Sequence, residues 1–366
     1  MSTNDPIQGM EGRLDGDVVR VGGDARQRYY DSSGYGRPTG EGVALAPVEA
    51  AHLLFRGDLD AVDGMGFRKF LSVEDRLVVR FLVYKDFRER GFYLSPVREG
   101  WIDADDLAHD DSTAADHDRS TDGPRADLVV YPQGKGPWDD EIAYRVRIVG
   151  ERESIRTSSL GRCVLAVVDE ESEITYLDTT RPAIDGSTTD DLPTNVAGDL
   201  LADRAILWNP PDELYEAAFY GQRLAGRGAE GGPLQLSLVE TAFLLGEGTI
   251  DLGVDLAAVV ERGRRVEGER FDRRLAVYTA LREAGLVPKT GFKFGADFRT
   301  YADVESVDSL GHSERLVRAL PADHAFAPRE LSLDVRLAGG VHKRMTFALT
   351  TPTGEIDWLA VERLTP

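Results

Sequence analysis

Apolar and polar positions run through the same order twice along this 366-residue chain. Each time, a short apolar strand leads into a helix carrying aliphatic pairs at helical spacing, Leu53–Leu54 and later Leu244–Leu245, opened by Pro47 or Ser237. A second helix follows. In the later copy it is the amphipathic stretch RLAVYTALREAG (274–285), closed by Gly285 as a C-cap. The remainder reads as strands: VRLAGG, KRMTFALTT and EIDWLAVERL alternate and are separated by Gly, Pro and Asp turns. Helices first and strands afterwards predict an α+β fold for each copy.

The two copies also match residue by residue. YYDSSGYG (29–36) answers LYEAAFYG (214–221), and LAPVEAAHLL (45–54) answers LSLVETAFLL (236–245). GFYL (91–94) is matched to GFKF (291–294), DLVVY (127–131) to DFRTY (297–301), and RVRIV (145–149) to RLVRAL (315–320). Last, CVLAVVDEESEITYL (163–177) answers MTFALTTPTGEIDWL (345–359). Similarity in this order marks a tandem duplication. The expected division is a first repeat over 1–178, a polar linker over 179–195 and a second repeat over 196–366, itself split into parts 196–286 and 287–366. The first repeat carries an acidic interruption around 98–126, nearly free of large apolar residues and read as a disordered loop.

Composition adds a constraint and a puzzle. No apolar run approaches the ~20 residues of a membrane span and the N-terminus lacks a signal-peptide order, so a cytoplasmic protein is expected. The single cysteine, Cys163, lies in an apolar run and reads as a buried thiol; the scattered histidines offer no metal-ligand spacing, so no metal site is expected. The net charge is -21, yet the acidic excess accompanies only six lysines, with arginine supplying the rest of the 43 basic residues. That balance fits a halophilic cytosol, where molar salt shortens the Debye length to about 3 Å. Net charge then says little about a polyanionic partner, and local charge has to decide.

The second repeat carries the chemistry. GFKFGADFRTY (291–301) ends on a tyrosine, GHSERLVRALP (311–321) opens on a histidine, and VHKRMTFAL (341–349) holds a lysine before a final hairpin. Singly, each has a plainer reading: Tyr301 as a core ring, His312 as the cap of a helix SERLVRALP, Lys343 as a solvated charge. Together, in this order and within a duplicated chain, they resemble the archaeal tRNA-intron endonucleases, a likeness that covers nearly the whole length. The resemblance implies two tandem splicing-endonuclease units, each a small helix-and-strand N-terminal part followed by a nuclease-like α/β C-terminal part. It also implies cleavage of precursor tRNA at bulge–helix–bulge structures without metal or cofactor. The ribose 2'-OH attacks its own phosphate, leaving a 2',3'-cyclic phosphate and a 5'-hydroxyl. Such a reaction asks the protein for a base, an acid and a cation, the roles the resemblance gives to Tyr301, His312 and Lys343.

Further residues follow from the same likeness. Arg336 and Trp358 stand where the family sandwiches a bulged base, so Trp358 is expected to present an exposed face. One active repeat per chain and two cuts per intron imply a homodimer. The acidic turn Asp169, Glu170, Glu171 and Glu173 stands where the family docks a loop on the partner. Aligning the repeats sets Tyr131 opposite Tyr301, Glu141 opposite His312, and Arg162 or Gly161 opposite Lys343, so the first repeat is expected to be inactive. Two rivals remain: a non-catalytic RNA-binding scaffold and a general ribonuclease.

Overall fold

The computed structural model describes residues 10–102, 126–139, 141–189, 191–226, 228–229 and 231–366. Most of the acidic interruption, with His109 and His117, lies outside the described residues. The chain forms two compact units. One holds the residues up to Thr179 with Phe326–Ser332 and Arg363–Pro366; the other holds Thr180–Ala325 and Leu333–Glu362.

In the first unit, β1 (Glu11–Asp15), β2 (Val18–Val21), β3 (Arg37–Thr39), β4 (Gly42–Leu45) and β5 (Ala61–Val62) make a sheet ordered β3-β4-β2-β1-β5. Helices α1 (Pro47–Arg56), α2 (Phe67–Phe70) and α3 (Leu77–Glu89) accompany it. Then β6 (Leu94–Pro96), β7 (Leu128–Val130), β8 (Tyr144–Gly150), the short β9 (Ile155–Arg156), β10 (Arg162–Val168) and β11 (Ile174–Thr180) follow, paired in the order β6-β7-β8-β10-β11.

The second unit repeats this scheme. Strands β12 (Val196–Leu200), β13 (Arg204–Leu207), β14 (Gln222–Arg223), β15 (Leu234–Ser237) and β16 (Ile250–Asp251) are ordered β14-β15-β13-β12-β16. Helices α4 (Glu213–Glu216), α5 (Leu238–Gly246), α6 (Leu256–Glu267) and α7 (Arg270–Glu283) lie among and after them. Strands β17 (Val287–Thr290), β18 (Phe298–Tyr301), β19 (Arg315–Pro321), the short β20 (Ala325–Phe326), β21 (Arg344–Thr350) and β22 (Ile356–Leu364) follow, with helix α8 (Pro328–Gly340) before β21. Their order is β17-β18-β19-β21-β22, and only β19–β21 is parallel among these pairs, the crossover being α8. The α+β reading and the tandem repeat both hold.

Equivalent residues do equivalent work. The Asp127 carboxylate accepts the Ile148 amide at 2.7 Å, and Asp297 accepts that of Ala319 at 2.9 Å. Each aspartate is also paired with an arginine of the preceding helix, Arg80 or Arg274. One match needs correction. Leu94 pairs with Val130, and Pro288 pairs with Thr300, so GFYL (91–94) corresponds to GLVP (285–288). GFKF (291–294) is instead a turn beyond β17. The shared Gly-Phe pair misaligned them; Gly91 and Gly285, both left-handed at φ 90 and 75, are the true partners.

Three other expectations change. VRLAGG is the end of helix α8, because Leu331, Val335 and Ala338 are buried at helical spacing. SERLVRALP is a strand, so His312 caps no helix. Helix α6, whose arginines and glutamates hid its apolar stripe, was missed. Cys163 is a buried free thiol. The linker is docked on the second unit: the amides of Gly186, Ser187 and Thr188 donate to the carbonyls of Ala284, Ala302 and Gly285 at 2.7, 2.8 and 3.0 Å.

A buried glutamate fastens each N-terminal part. Glu240 takes the amides of Gly221 and Ser237 at 3.0 and 2.9 Å, and Glu49 takes those of Gly36 and Ala46 at 2.7 and 2.8 Å. Lys289 reaches Glu240 at 3.1 Å; the equivalent position in the first unit is Ser95. Burial opposes ionisation of Glu240, yet Lys289 and the two amides outweigh it and hold the carboxyl below its usual range. Without a lysine, burial pushes Glu49 up to about 7. A carboxyl raised on folding adds stability that is complete below its unfolded pKa and fades as pH climbs through the folded value. The first unit should therefore lose roughly 3 kcal/mol of stability between pH 4.5 and about 7, read from its thermal unfolding. Glu49→Gln should flatten that dependence; parallel curves for the two proteins would refute the assignment.

Candidate active site

Strand directions gather three of the singled-out residues. Strand β18 runs antiparallel to β19, and β19 runs parallel to β21. The C-terminal end of β18 thus lies beside the N-terminal ends of the other two. Tyr301 ends β18, His312 precedes β19 and Lys343 precedes β21. Backbone bonds tie the edge together: the Glu314 amide donates to Thr300 and the Arg344 amide to Glu314, each at 3.0 Å. The Lys343 ammonium donates to the Ser313 carbonyl at 2.5 Å, next to His312. His312 itself is exposed, whereas Ser313 is buried.

The environment of each group differs. The Tyr301 ring is 7% exposed and packs edge-on against Phe219, with centroids 6.0 Å apart. The Arg299 guanidinium lies 5.9 Å from the same ring. Burial, then the nearby Arg299 charge, holds Lys343 below the usual lysine range. A lysine so placed is less hydrated than a free one and interacts more strongly with an incoming anion. A cavity of about 390 Å³ opens beside it, lined by Glu314, Arg315, Gly339, His342, Lys343, Arg344 and Glu362. Four nitrogen bases face two carboxylates there, so this surface is locally basic in an acidic chain.

Sequence reasoning missed the support beneath Tyr301. Phe219 holds a left-handed backbone, φ 53, which costs a non-glycine residue about 1–3 kcal/mol. Lys289 stabilises it by donating to the Phe219 carbonyl at 3.1 Å and lying 4.6 Å from its ring. A lysine inside a strand next to a proline gave no sign of this in the sequence.

The first unit carries the same frame with other residues in it. Pairing of Val146 with Val164, against Val317 with Thr346, sets Gly161 opposite Lys343 and Glu141 opposite His312. Tyr131 stands opposite Tyr301, its hydroxyl bonded to Ser95 at 2.9 Å. Glu141 pairs with Lys135 at 3.2 Å.

The remaining singled-out residues lie elsewhere. Arg336 is exposed on α8. Trp358, on β22 opposite Ala348, is half-buried against the second unit's core rather than openly exposed. In the turn between β10 and β11, the Asp169 carboxylate accepts the amides of Glu171 and Glu173, both at 2.9 Å, and Glu170 pairs with Arg152. Glu171 and Glu173 are exposed. Among the described residues no group of three or more His, Cys, Asp or Glu could hold a metal ion, and no helix is long and apolar enough to cross a membrane.

Comparison with known proteins agrees with this frame. The catalytic C-terminal domain of tRNA intron endonuclease matches residues 271–358, and the N-terminal domain of that family matches twice, over 10–71 and 196–260. A tRNA-splicing endonuclease of Haloarcula marismortui is 61% identical over 98% of this chain and 100% of its own. One of Haloferax volcanii is 59% identical over the same shares. One of Methanococcoides burtonii is 33% identical over 95% of this chain and 97% of its own. By its duplicated frame, its two N-terminal matches and its one catalytic-domain match, the chain belongs to the tRNA intron endonuclease family.

Proposed function

We propose that the chain excises introns from precursor tRNA at bulge–helix–bulge structures, by a metal-independent transesterification at the edge formed by Tyr301, His312 and Lys343. The observation that carries this reading is their convergence on one end of three adjacent strands, in the repeat matched by the catalytic-domain model, while the other repeat has Glu141 and Gly161 at two of the three positions. The nucleophile belongs to the RNA. Tyr301, its own phenolic proton first lost to solvent, takes the 2'-OH proton as the oxygen attacks the adjacent phosphorus, His312 protonates the departing 5'-oxygen, and Lys343 stabilises the phosphorane charge. Bonds balance without a co-reactant: one P–O bond forms and one breaks, leaving a 2',3'-cyclic phosphate and a 5'-hydroxyl. Histidine suits the acid, since its pKa near 6.5 lies close to neutrality. Glu141, a carboxylate bound to a lysine, suits neither that step nor the company of a phosphate.

Arg336 and Trp358 are the proposed grip on a bulged base, by guanidinium and indole stacking. Two cuts at a fixed separation call for two such edges and hence a homodimer. The acidic turn with Glu171 and Glu173 would meet a basic concavity of the partner's second unit. A cavity of about 460 Å³ there is lined by Arg204, Arg274, Lys289 and Arg299 against Asp203 and Glu240, an excess of cations over carboxylates. Cleavage of a bulge–helix–bulge RNA in high salt with EDTA, beside a fully paired control, tests the reading. The expected result is cutting of the bulged RNA alone by a species that sediments as two chains. No cleavage sinks the metal-free enzyme; equal cleavage of both RNAs sinks the bulge specificity.

A further inference from the structure

The hairpin joining β17 to β18 carries an aromatic turn to which neither the cleavage edge nor the base grip gives a role. Phe292 is 87% exposed. A lone exposed aliphatic would call for no explanation, but this ring is held out by a built turn. The Gly291 amide donates to Asp297 at 3.1 Å, the Phe294 amide to Gly291 at 2.8 Å, and Gly295 adopts a left-handed φ of 69. A Cβ on Gly291 would meet the Ala296 carbonyl at 2.8 Å. The backbone therefore fixes where Phe292 projects before any ligand arrives.

Two neighbours point to the ligand. The next residue, Lys293, is exposed, and the one after it, Phe294, has its ring 6.0 Å from the Lys343 ammonium. The exposed aromatic is thus two residues from a ring that lies over the lysine of the proposed cleavage edge. The first unit differs in sequence here. Its equivalent hairpin, β6 to β7, is joined through the long acidic stretch 98–126 instead. Trp101 at the start of that stretch lies under the guanidinium groups of Arg37 and Arg98, whereas the turn of the second unit leaves the Phe292 ring 87% exposed.

We propose that Phe292 is a stacking platform for an unpaired nucleobase next to the scissile phosphate, with Lys293 at the neighbouring backbone phosphate. This rests on the RNA-cleaving reading of the same edge. Every base has an apolar face, so a single rigid ring holds one without reading its identity. Lys293 adds positive charge to an edge that already carries Lys343 and Arg299.

The test uses the full chain with Lys343→Ala, which binds without cutting, and a bulge–helix–bulge RNA carrying 2-aminopurine in the bulge. Adding Phe292→Ala should weaken binding of the bulged RNA roughly tenfold, the size of one lost stack, and leave a fully paired duplex unaffected. Phe292→Trp should restore the affinity. Equal affinity with and without Phe292 overturns the proposal. So does a Phe292→Ala protein that sediments as a smaller species, which would make the ring a contact between copies of the chain. Failure of the Lys343→Ala parent to bind bulged RNA would overturn the RNA-cleaving reading itself, and this proposal with it.

Discussion

Replacing His312 or Lys343 by alanine should lower the single-turnover cleavage rate at saturating RNA by roughly 10²–10⁴, with far smaller effects on binding. The reasoning is electrostatic. The phosphorane gains a charge that the ground state lacks, so a cation or proton donor there acts mainly on the transition state. Lys343 is poised for this by its bond to the Ser313 carbonyl, which anchors the ammonium beside His312. Tyr301→Phe is the sharper variant. The ring packs on Phe219 and is nearly buried, so alanine would confuse lost packing with lost chemistry. Phenylalanine keeps the packing and removes only the hydroxyl. A true base predicts a loss within the same range, and an unchanged rate would reduce Tyr301 to a packing residue. Because Arg299 and burial hold Lys343 low, the rate should also decline at a lower alkaline pH than an ordinary lysine would give. His312→Ala or Lys343→Ala protein that cuts as fast as wild type would leave the proposed edge without chemistry.

The second large effect concerns stability. Lys289→Ser should destabilise the second unit by about 3–5 kcal/mol near pH 8, because it strands a buried carboxylate. The first unit already displays that arrangement: with Ser95 at the equivalent position, burial raises Glu49 to about 7, so it keeps its proton to a higher pH than an exposed carboxyl does. Glu240 should then behave in the same way, and the loss should shrink as pH falls toward 5. The signs differ between the two proteins. In wild type, Glu240 adds stability that persists above its unfolded pKa and is lost only in acid; in the variant, its contribution fades as pH rises. Scanning calorimetry at pH 5 and 8 separates these, and a pH-independent loss would refute the account. Phe219 should loosen as well, since Lys289 bonds its carbonyl, so activity should fall at temperatures where the chain is still folded.

Much of this architecture is legible in the sequence, for physical reasons. The repeat can be read because each copy spends the same residue types on the same constraints: Glu49 and Glu240 on helix caps, Gly36 and Gly221 on left-handed turns, Asp127 and Asp297 on a strand amide. Lys343, His312 and Tyr301 can be singled out only jointly, by their resemblance to one family's motifs, since each alone reads as an ordinary core, cap or surface residue. The errors are equally physical. Val335-Arg336-Leu337-Ala338 satisfies a period of two as readily as a helical one, and only burial of Leu331 decides between them. The Gly-Phe pair shared by GFYL and GFKF matches a strand to a turn, and Phe292 in that turn is exposed. Trp358 departs the other way and lies half-buried. Exposure of a ring is a property of its neighbours, and no single segment contains them.

The docked linker has a consequence for how such a chain could be divided. Gly186 and Gly285 approach so closely that a Cβ on Gly186 would meet the Gly285 carbonyl at 2.3 Å, and Ser187 bonds the residue that follows Tyr301. Residues 184–188 are thus a component of the second repeat and not spare tether. A gene split into two polypeptides would have to break ahead of Ile184. A break placed in the middle of 179–195, where composition alone would suggest it, would give the brace beside Tyr301 to the wrong fragment.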